Sequence, residues 1–325
     1  MAKQVGIFRR LKWVVLIALI GVLVAVFLNR QWIYDFWRGK TYNPSSEMVR
    51  IREDLGLTDH GEFLFNAAWP ELNSSAEFNA YCRDGDDEVA VLGCYTSGDI
   101  HVYDITEEEL DGIRELTTAH ELLHVVWARM DDEERRSLTT ALTQTFDANK
   151  ELLESELDAY DTSEKQEELY VRAGTEIKNL PDSLEKHYAK IFKDQDKVVD
   201  FYEKYIKVFR ELEAELDTLE SEIKILGEEI EQKTQDYEQR SEQLNADIVS
   251  FNSCAEVEGC FSGQGEFYAK RWALVNEQNV LEGLYNEINE LIDGYNSKVE
   301  LYNADVLRGE DLQKVINSSA KPSEL

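Results

Sequence analysis

Two histidines, His120 and His124, stand four residues apart in "HELLH", and Glu121 directly follows the first. On a helix, side chains at that spacing lie one above the other on the same face. Two imidazoles so placed can each bring a nitrogen to about 2 Å from one Zn2+ ion. Glu121, next along from His120, points to the side of that ion. There its carboxylate can take a proton from bound water and return it to a leaving amine. The chemistry served by this order is hydrolysis of an amide, with His120 and His124 as metal ligands and Glu121 as general base. With five histidines in 325 residues, the pattern arises by chance roughly 0.01 times per chain. The competing reading is an amphipathic helix whose histidines face solvent.

The pattern resembles the zincin metallopeptidases, whose signature is His-Glu-x-x-His. The resemblance covers the helix holding "HELLH" and, more loosely, residues 80–195. It does not extend to the N-terminal segment or to the C-terminal part of the chain. One zincin branch continues with a glycine and then a further histidine where this chain has Trp127 and Met130, and that branch is excluded. The resemblance is therefore to the gluzincins, and it implies a third ligand from a glutamate on a later helix. It points to Glu168 in "EELYVRAGTE", with Ala173 and Gly174 small enough to let that helix pack close to the first. Glu176 is an alternative ligand, or a carboxylate that orients a histidine, and Glu156 in "ELDAYD" is a further rival. It also implies a donor for the oxyanion. His187, Tyr188 and Tyr170 are eligible, and none is assigned the role. "GDIHVYDI" precedes the metal helix where zinc peptidases keep an edge strand that pairs with an extended substrate. His101, on that strand, and His60 are expected to be structural.

These residues need a helix to hold them. From Thr106 onward the periodicity is helical, with Leu116, Ala119, Leu123, Val126, Trp127 and Met130 along one apolar face. Thr106 followed by Glu109 is a capping-box pattern expected to start the segment. "EVAVLGCY" and "GDIHVYDI" predict two short strands. Upstream, Ser45 or Ser46 is expected to cap a helix. Downstream, the pattern predicts a helix to about Lys178, a break at Pro181, and a second helix.

The chain ends and its composition set the surroundings. "WVVLIALIGVLVAVFL", Trp13–Leu28, is uncharged and spans roughly 24 Å as a helix, against a bilayer core of about 30 Å. Trp32, Tyr34 and Trp37 follow it as interface residues, and the basic residues before it predict a cytoplasmic N-terminus. An uncleaved membrane anchor is expected, with the body of the chain outside the cytoplasm, as on a bacterial cell surface. A cleaved signal peptide is the alternative. Outside the cytoplasm, cysteines form disulfides, and the local pairs Cys82–Cys94 and Cys254–Cys260 are expected. Metal binding by the cysteines is the other reading, but their spacing is unlike zinc knuckles.

From about Asp196, Leu216, Leu219, Ile223, Leu226 and Ile230 step by three and four, and Tyr285 to Val306 repeat the rhythm. An antiparallel helical hairpin follows, stapled at its tip by the second cysteine pair. It is either a spacer or a docking arm for a coiled-coil partner. A net charge of −32, from 34 basic and 66 acidic residues, argues against nucleic acid as partner. A hydrophobic share of 43% argues against disorder.

The expected architecture is mainly α (α+β): an anchor over 1–40, a zincin-like domain with a small β-sheet over 41–194, a coiled-coil hairpin over 195–309, and a flexible tail over 310–325. The expected function is zinc-dependent hydrolysis of peptide or protein substrates. The alternative is a membrane-tethered coiled-coil interaction or scaffold protein whose metal site is degenerate or structural.

Overall fold

In a computed structural model of the chain, residues 16, 18–82, 91–158, 160 and 164–317 are described. They are mainly helical, with one small sheet, and divide into two compact units. One runs to Val208 and resumes at Gln313, and the other is Phe209–Leu312.

In the first unit, α1 (Ala18–Leu28) is followed by α2 (Arg30–Thr41), with a bend of 66° between them. Among the described residues no single helix is long and apolar enough to cross a membrane; this pair reaches that length and hydropathy only together. The expected span began at Trp13, and residues 13–15 and 17 lie outside the described residues. Ser45 caps α3 (Ser46–Asp54) by accepting the Met48 N–H. Then come α4 (Asp59–Ala67), β1 (Glu71–Asn73) and α5 (Ser75–Tyr81), the last with a Ser74/Glu77 capping box.

β2 (Gly93–Thr96) and β3 (Asp99–Tyr103) form a hairpin through Ser97 and Gly98, both at positive φ, as a tight primed turn requires. β1 pairs parallel to β3 on its other side, giving the order β1-β3-β2. This corrects one expectation: "GDIHVYDI" supplies the central strand, and β1 and β2 are the edges. His101 is accordingly buried, sharing a hydrogen bond of 3.1 Å with Asn73 and stacking on Tyr81. His60 is exposed at the start of α4.

A short 3-10 turn (Glu108–Leu110) precedes α6 (Ile113–Arg129), which starts after Gly112 at φ 97°. The helix therefore does not begin at the Thr106–Glu109 pattern, because the left-handed residue interrupts it. α6 ends where Asp131 caps α7 (Asp132–Ala148), accepting the Glu133 and Glu134 N–H groups at 2.8 and 2.9 Å. α8 (Lys150–Leu157), α9 (Lys165–Glu176) and α10 (Asp182–Tyr188) follow. Leu122, Leu123, Val125 and Val126 bury α6 against the sheet, α3, α4 and α9 in one apolar core. The disulfide Cys82–Cys94 ties the end of α5 to the edge strand.

The second unit holds most of α11 (Gln195–Ala255) and α12 (Gln264–Ile316). Contacts between the arms run in opposite senses: Glu222 with Lys298 at 2.6 Å, Lys233 with Glu287 at 2.8 Å and Arg240 with Glu277 at 2.8 Å. Tyr237 packs on Tyr285, and Leu219, Leu244, Leu281 and Ile288 are buried between the arms. The arms are therefore an antiparallel hairpin, with the Cys254–Cys260 disulfide at the tip beside Phe251, Phe261 and Phe267, whose ring centroids lie within 5.4 Å of one another. α12 continues to Ile316, into the stretch expected as a tail; residues 318–325 lie outside the described ones.

In the core of the first unit, Tyr170 and His187 share a buried hydrogen bond of 3.0 Å, and the Tyr188 hydroxyl donates to the Tyr170 carbonyl at 2.6 Å. Burial, with smaller contributions from Lys190 and His60, pushes the His187 imidazole from 6.5 down to about 4. A lowered histidine contributes stability that is complete above 6.5 and is lost as the pH falls towards 4. The first unit should lose about 2 kcal/mol between pH 7 and 5 from this group alone. Urea unfolding of the full chain at both pH values checks this, and His187→Gln should flatten that slope.

Candidate metal centre

α6 is buried on most of its circumference, and the strip that remains open carries His120 and His124 into a cavity of about 580 Å³. β2 forms one wall with Leu92, Gly93, Cys94 and Tyr95. α9 forms another with Glu167, Glu168, Arg172 and Glu176, and the first turns of α11 add Tyr202, Tyr205 and Ile206. Two glycines set the spacing. A Cβ on Gly174 would lie 2.5 Å from Leu123 of α6 and 2.7 Å from Tyr188. A Cβ on Gly93 would lie 2.6 Å from Thr117 and 2.8 Å from the Glu121 carboxylate. Neither position has room for one, so α9 and β2 both approach α6 closely on either side of the cavity that the histidines line.

The structure brings His120, His124 and Glu168 together, each offering one donor atom within 4.8 Å of the others. His120 Nε2 lies 3.8 Å from Glu168 Oε1, and His124 Nε2 lies 3.6 Å from Oε2. Four-coordinate zinc, with bonds of 2.0–2.2 Å, spaces its ligands at roughly 3.4 Å, so small side-chain rotations would close the set. Burial, then the neighbouring His124 and Arg172, holds the His120 imidazole well below its ordinary value, which favours the neutral form that ligates metals. Burial also draws His124 down. The Glu167 hydrogen bond and the charges of Glu121, Glu168 and Glu167 more than offset this and raise it.

Glu167 accepts from His124 Nδ1 at 2.8 Å, which turns Nε2 towards Glu168. Glu167, and not Glu176, is thus the carboxylate placed to orient a histidine of the grouping. Glu176 lines the cavity but bonds Arg172 at 3.1 Å, while the same guanidinium holds Glu168 at 2.7 Å. The Glu156 side chain lies outside the described residues.

Glu121 is buried beneath the edge strand, and its carboxylate accepts the Tyr95 backbone N–H. Burial, reinforced by the charge of Glu168, pushes it up to about 7, against His124 and that N–H. None of Tyr170, His187 and Tyr188 lines the cavity. Tyr160 does, and its hydroxyl is hydrogen-bonded to Arg172, with burial raising its pKa. Arg172 was legible as a partner four residues from both Glu168 and Glu176. Tyr160 stands between helices, where no periodicity marks it.

Searches against protein families, characterised proteins and solved structures find no match to this chain.

Metal-binding measurements separate these roles. Titration of the metal-free chain with Co2+, read from its visible absorption, should show one site that is lost in His120→Ala, His124→Ala and Glu168→Gln. Binding should be retained in Glu121→Gln and Glu176→Gln. Glu167→Gln should weaken it by about 10- to 100-fold.

Proposed function

We propose that the chain is a membrane-anchored, extracytoplasmic zinc metallopeptidase of the gluzincin kind. One observation carries the reading: a buried carboxylate, Glu121, sits beside a His-His-Glu grouping under an edge strand that faces the same cavity. His120, His124 and Glu168 would hold Zn2+, which supplies a Lewis acid and makes water a nucleophile near neutral pH.

The chain's own residues do the rest. Glu121, with an affinity for protons near neutrality, takes the proton of the attacking water and returns it to the departing amine. The Tyr95 N–H keeps that carboxylate aimed into the cavity. Glu167 holds the ring of His124, and Arg172 holds Glu168. β2, an outer strand of the sheet beside the cavity, presents the part of its edge not taken by Glu121 to an extended peptide. The hydroxyl of Tyr160, held by Arg172, is our candidate donor to the oxyanion among the hydroxyls that line the cavity. The uncharged run Trp13–Leu28 is the anchor, and the two disulfides fit an oxidising compartment.

A second reading is supported by the hairpin. Val249, Tyr268, Trp272 and Val275 are exposed near its tip, as on a surface that docks a partner. The scaffold role and the peptidase role are separated by Glu121→Gln.

In that variant zinc content should stay unchanged while cleavage of a mixed fluorogenic peptide library falls about 10²- to 10⁴-fold. Cleavage that survives the substitution rules out Glu121 as base. Zinc bound without cleavage in the parent chain leaves the scaffold reading. Gly93→Ala should lower both stability, read by urea unfolding, and turnover, because the added methyl meets Thr117 of α6 as well as the Glu121 carboxylate.

A further inference from the structure

α2 is built inside out. A helix on a soluble protein buries its apolar stripe and shows its polar face to water. Here the inward face carries Asp35, Arg38 and Gly39, and Asp35 is only 2% exposed. The exposed side carries Trp37 and Phe36, with Trp32 at one margin, where it also stacks on Phe63 of α4, and Tyr34 at the other, where it meets Arg38; Trp32 and Trp37 remain 57% and 65% exposed. The helix before it, α1, exposes Leu19, Ile20, Val22, Leu23 and Phe27 and so shows apolar surface along its length. Arg30 lies over Phe27 and Lys40 over Phe36, which sets cations beside the aromatic rings at both ends of α2. An aromatic face flanked by Arg and Lys and continuous with an exposed apolar helix matches the headgroup layer of a bilayer. In that setting the 66° bend between α1 and α2 would turn the chain from the hydrocarbon into the plane of the surface.

The inward face is bonded to the site. Both oxygens of Asp35 accept from Arg129, at 2.9 and 3.0 Å, and Gln31 adds a bond to the same carboxylate at 2.9 Å. Arg129 also donates to the Tyr95 hydroxyl at 3.0 Å. Arg129 lies in the last turn of the metal helix, about 8 Å along its axis from His124, and Tyr95 is on the edge strand. A buried bidentate pair of this kind is costly to break. Arg38 adds hydrogen bonds to the Ala67 and Gly98 carbonyls and an ion pair with Asp99 at the turn of the β-hairpin.

From these contacts we infer that the outer face of α2 lies in the headgroup layer and holds the cleft against the membrane. The substrates are then polypeptide segments at, or emerging from, that same surface. The substrate part rests on the peptidase reading; the lipid contact does not. The test uses the full chain in phospholipid vesicles, in a Trp13→Phe background. Bromine-labelled lipids should quench tryptophan emission, and the quenched component should disappear in Trp32→Phe/Trp37→Phe. Emission that bromolipids leave unchanged overturns the lipid contact.

In the same vesicles, the fluorogenic peptide library is offered either free or coupled to a lipid headgroup through linkers of increasing length. The shortest workable linker should give the fastest cleavage, about tenfold or more above the free peptides. Short-linked peptides cleaved no faster than free ones, or slower than long-linked ones, overturn the substrate assignment. If neither form is cleaved, the peptidase reading fails and the substrate assignment falls with it, while quenching still decides the lipid contact.

Discussion

Gly174 presents no side chain where Leu123 of α6 and Tyr188 of α10 press against α9. Because of that omission, α9 seats closely on α6, the helix of the two histidines. Glu168, Arg172 and Glu176 follow one another at helical spacing along its strip facing the cavity. A methyl group at position 174 would push against a core that is already full. Packing thus brings the carboxylate against both imidazoles, and for His124 the charge of Glu168 adds an attraction that favours its protonated form.

The same packing creates an electrostatic problem. Glu121 and Glu168 are both buried, and Glu167 and Glu176 share their cavity. Arg172 answers part of this by bonding Glu168 and Glu176 together. Glu121 answers another part by holding a proton up to about pH 7. What remains is an excess of negative charge between two imidazoles, a setting in which a divalent cation relieves repulsion.

Much of this could be read from residue order. The spacing of His120 and His124, the helix-breaking Pro181, the heptads of α11 and α12 and the local cysteine pairs each rest on short-range rules. The structure carries the same helices, hairpin and disulfides. β1 was not legible: it is a strand of three residues, and its pairing with β3 depends on a partner far along the chain. For the same reason the edge and the centre of the sheet were exchanged. Strand-forming residues show that a segment pairs, but not on how many sides. The start of α6 was misplaced because Thr106–Glu109 satisfies the capping pattern while Gly112, left-handed, decides where the helix begins. Glu167 was overlooked in favour of Glu176 because side-chain direction around a helix depends on where the neighbouring helix lies. α2 misleads in another way. Its aromatic residues mark it as amphipathic, yet only coordinates reveal that Asp35 and Arg38 point inward.

The hairpin of α11 and α12 pairs oppositely running helices through heptads, a pattern in which apolar seams alone discriminate weakly between registers one period apart, and the inter-arm ion pairs help to select one. Here the Cys254–Cys260 bridge encloses the turn in a covalent ring, and three phenylalanines pack about it. Slippage would require the turn to lengthen at one end, which the ring forbids. The bridge and the three rings thus fix the relative phase of the two arms at the tip.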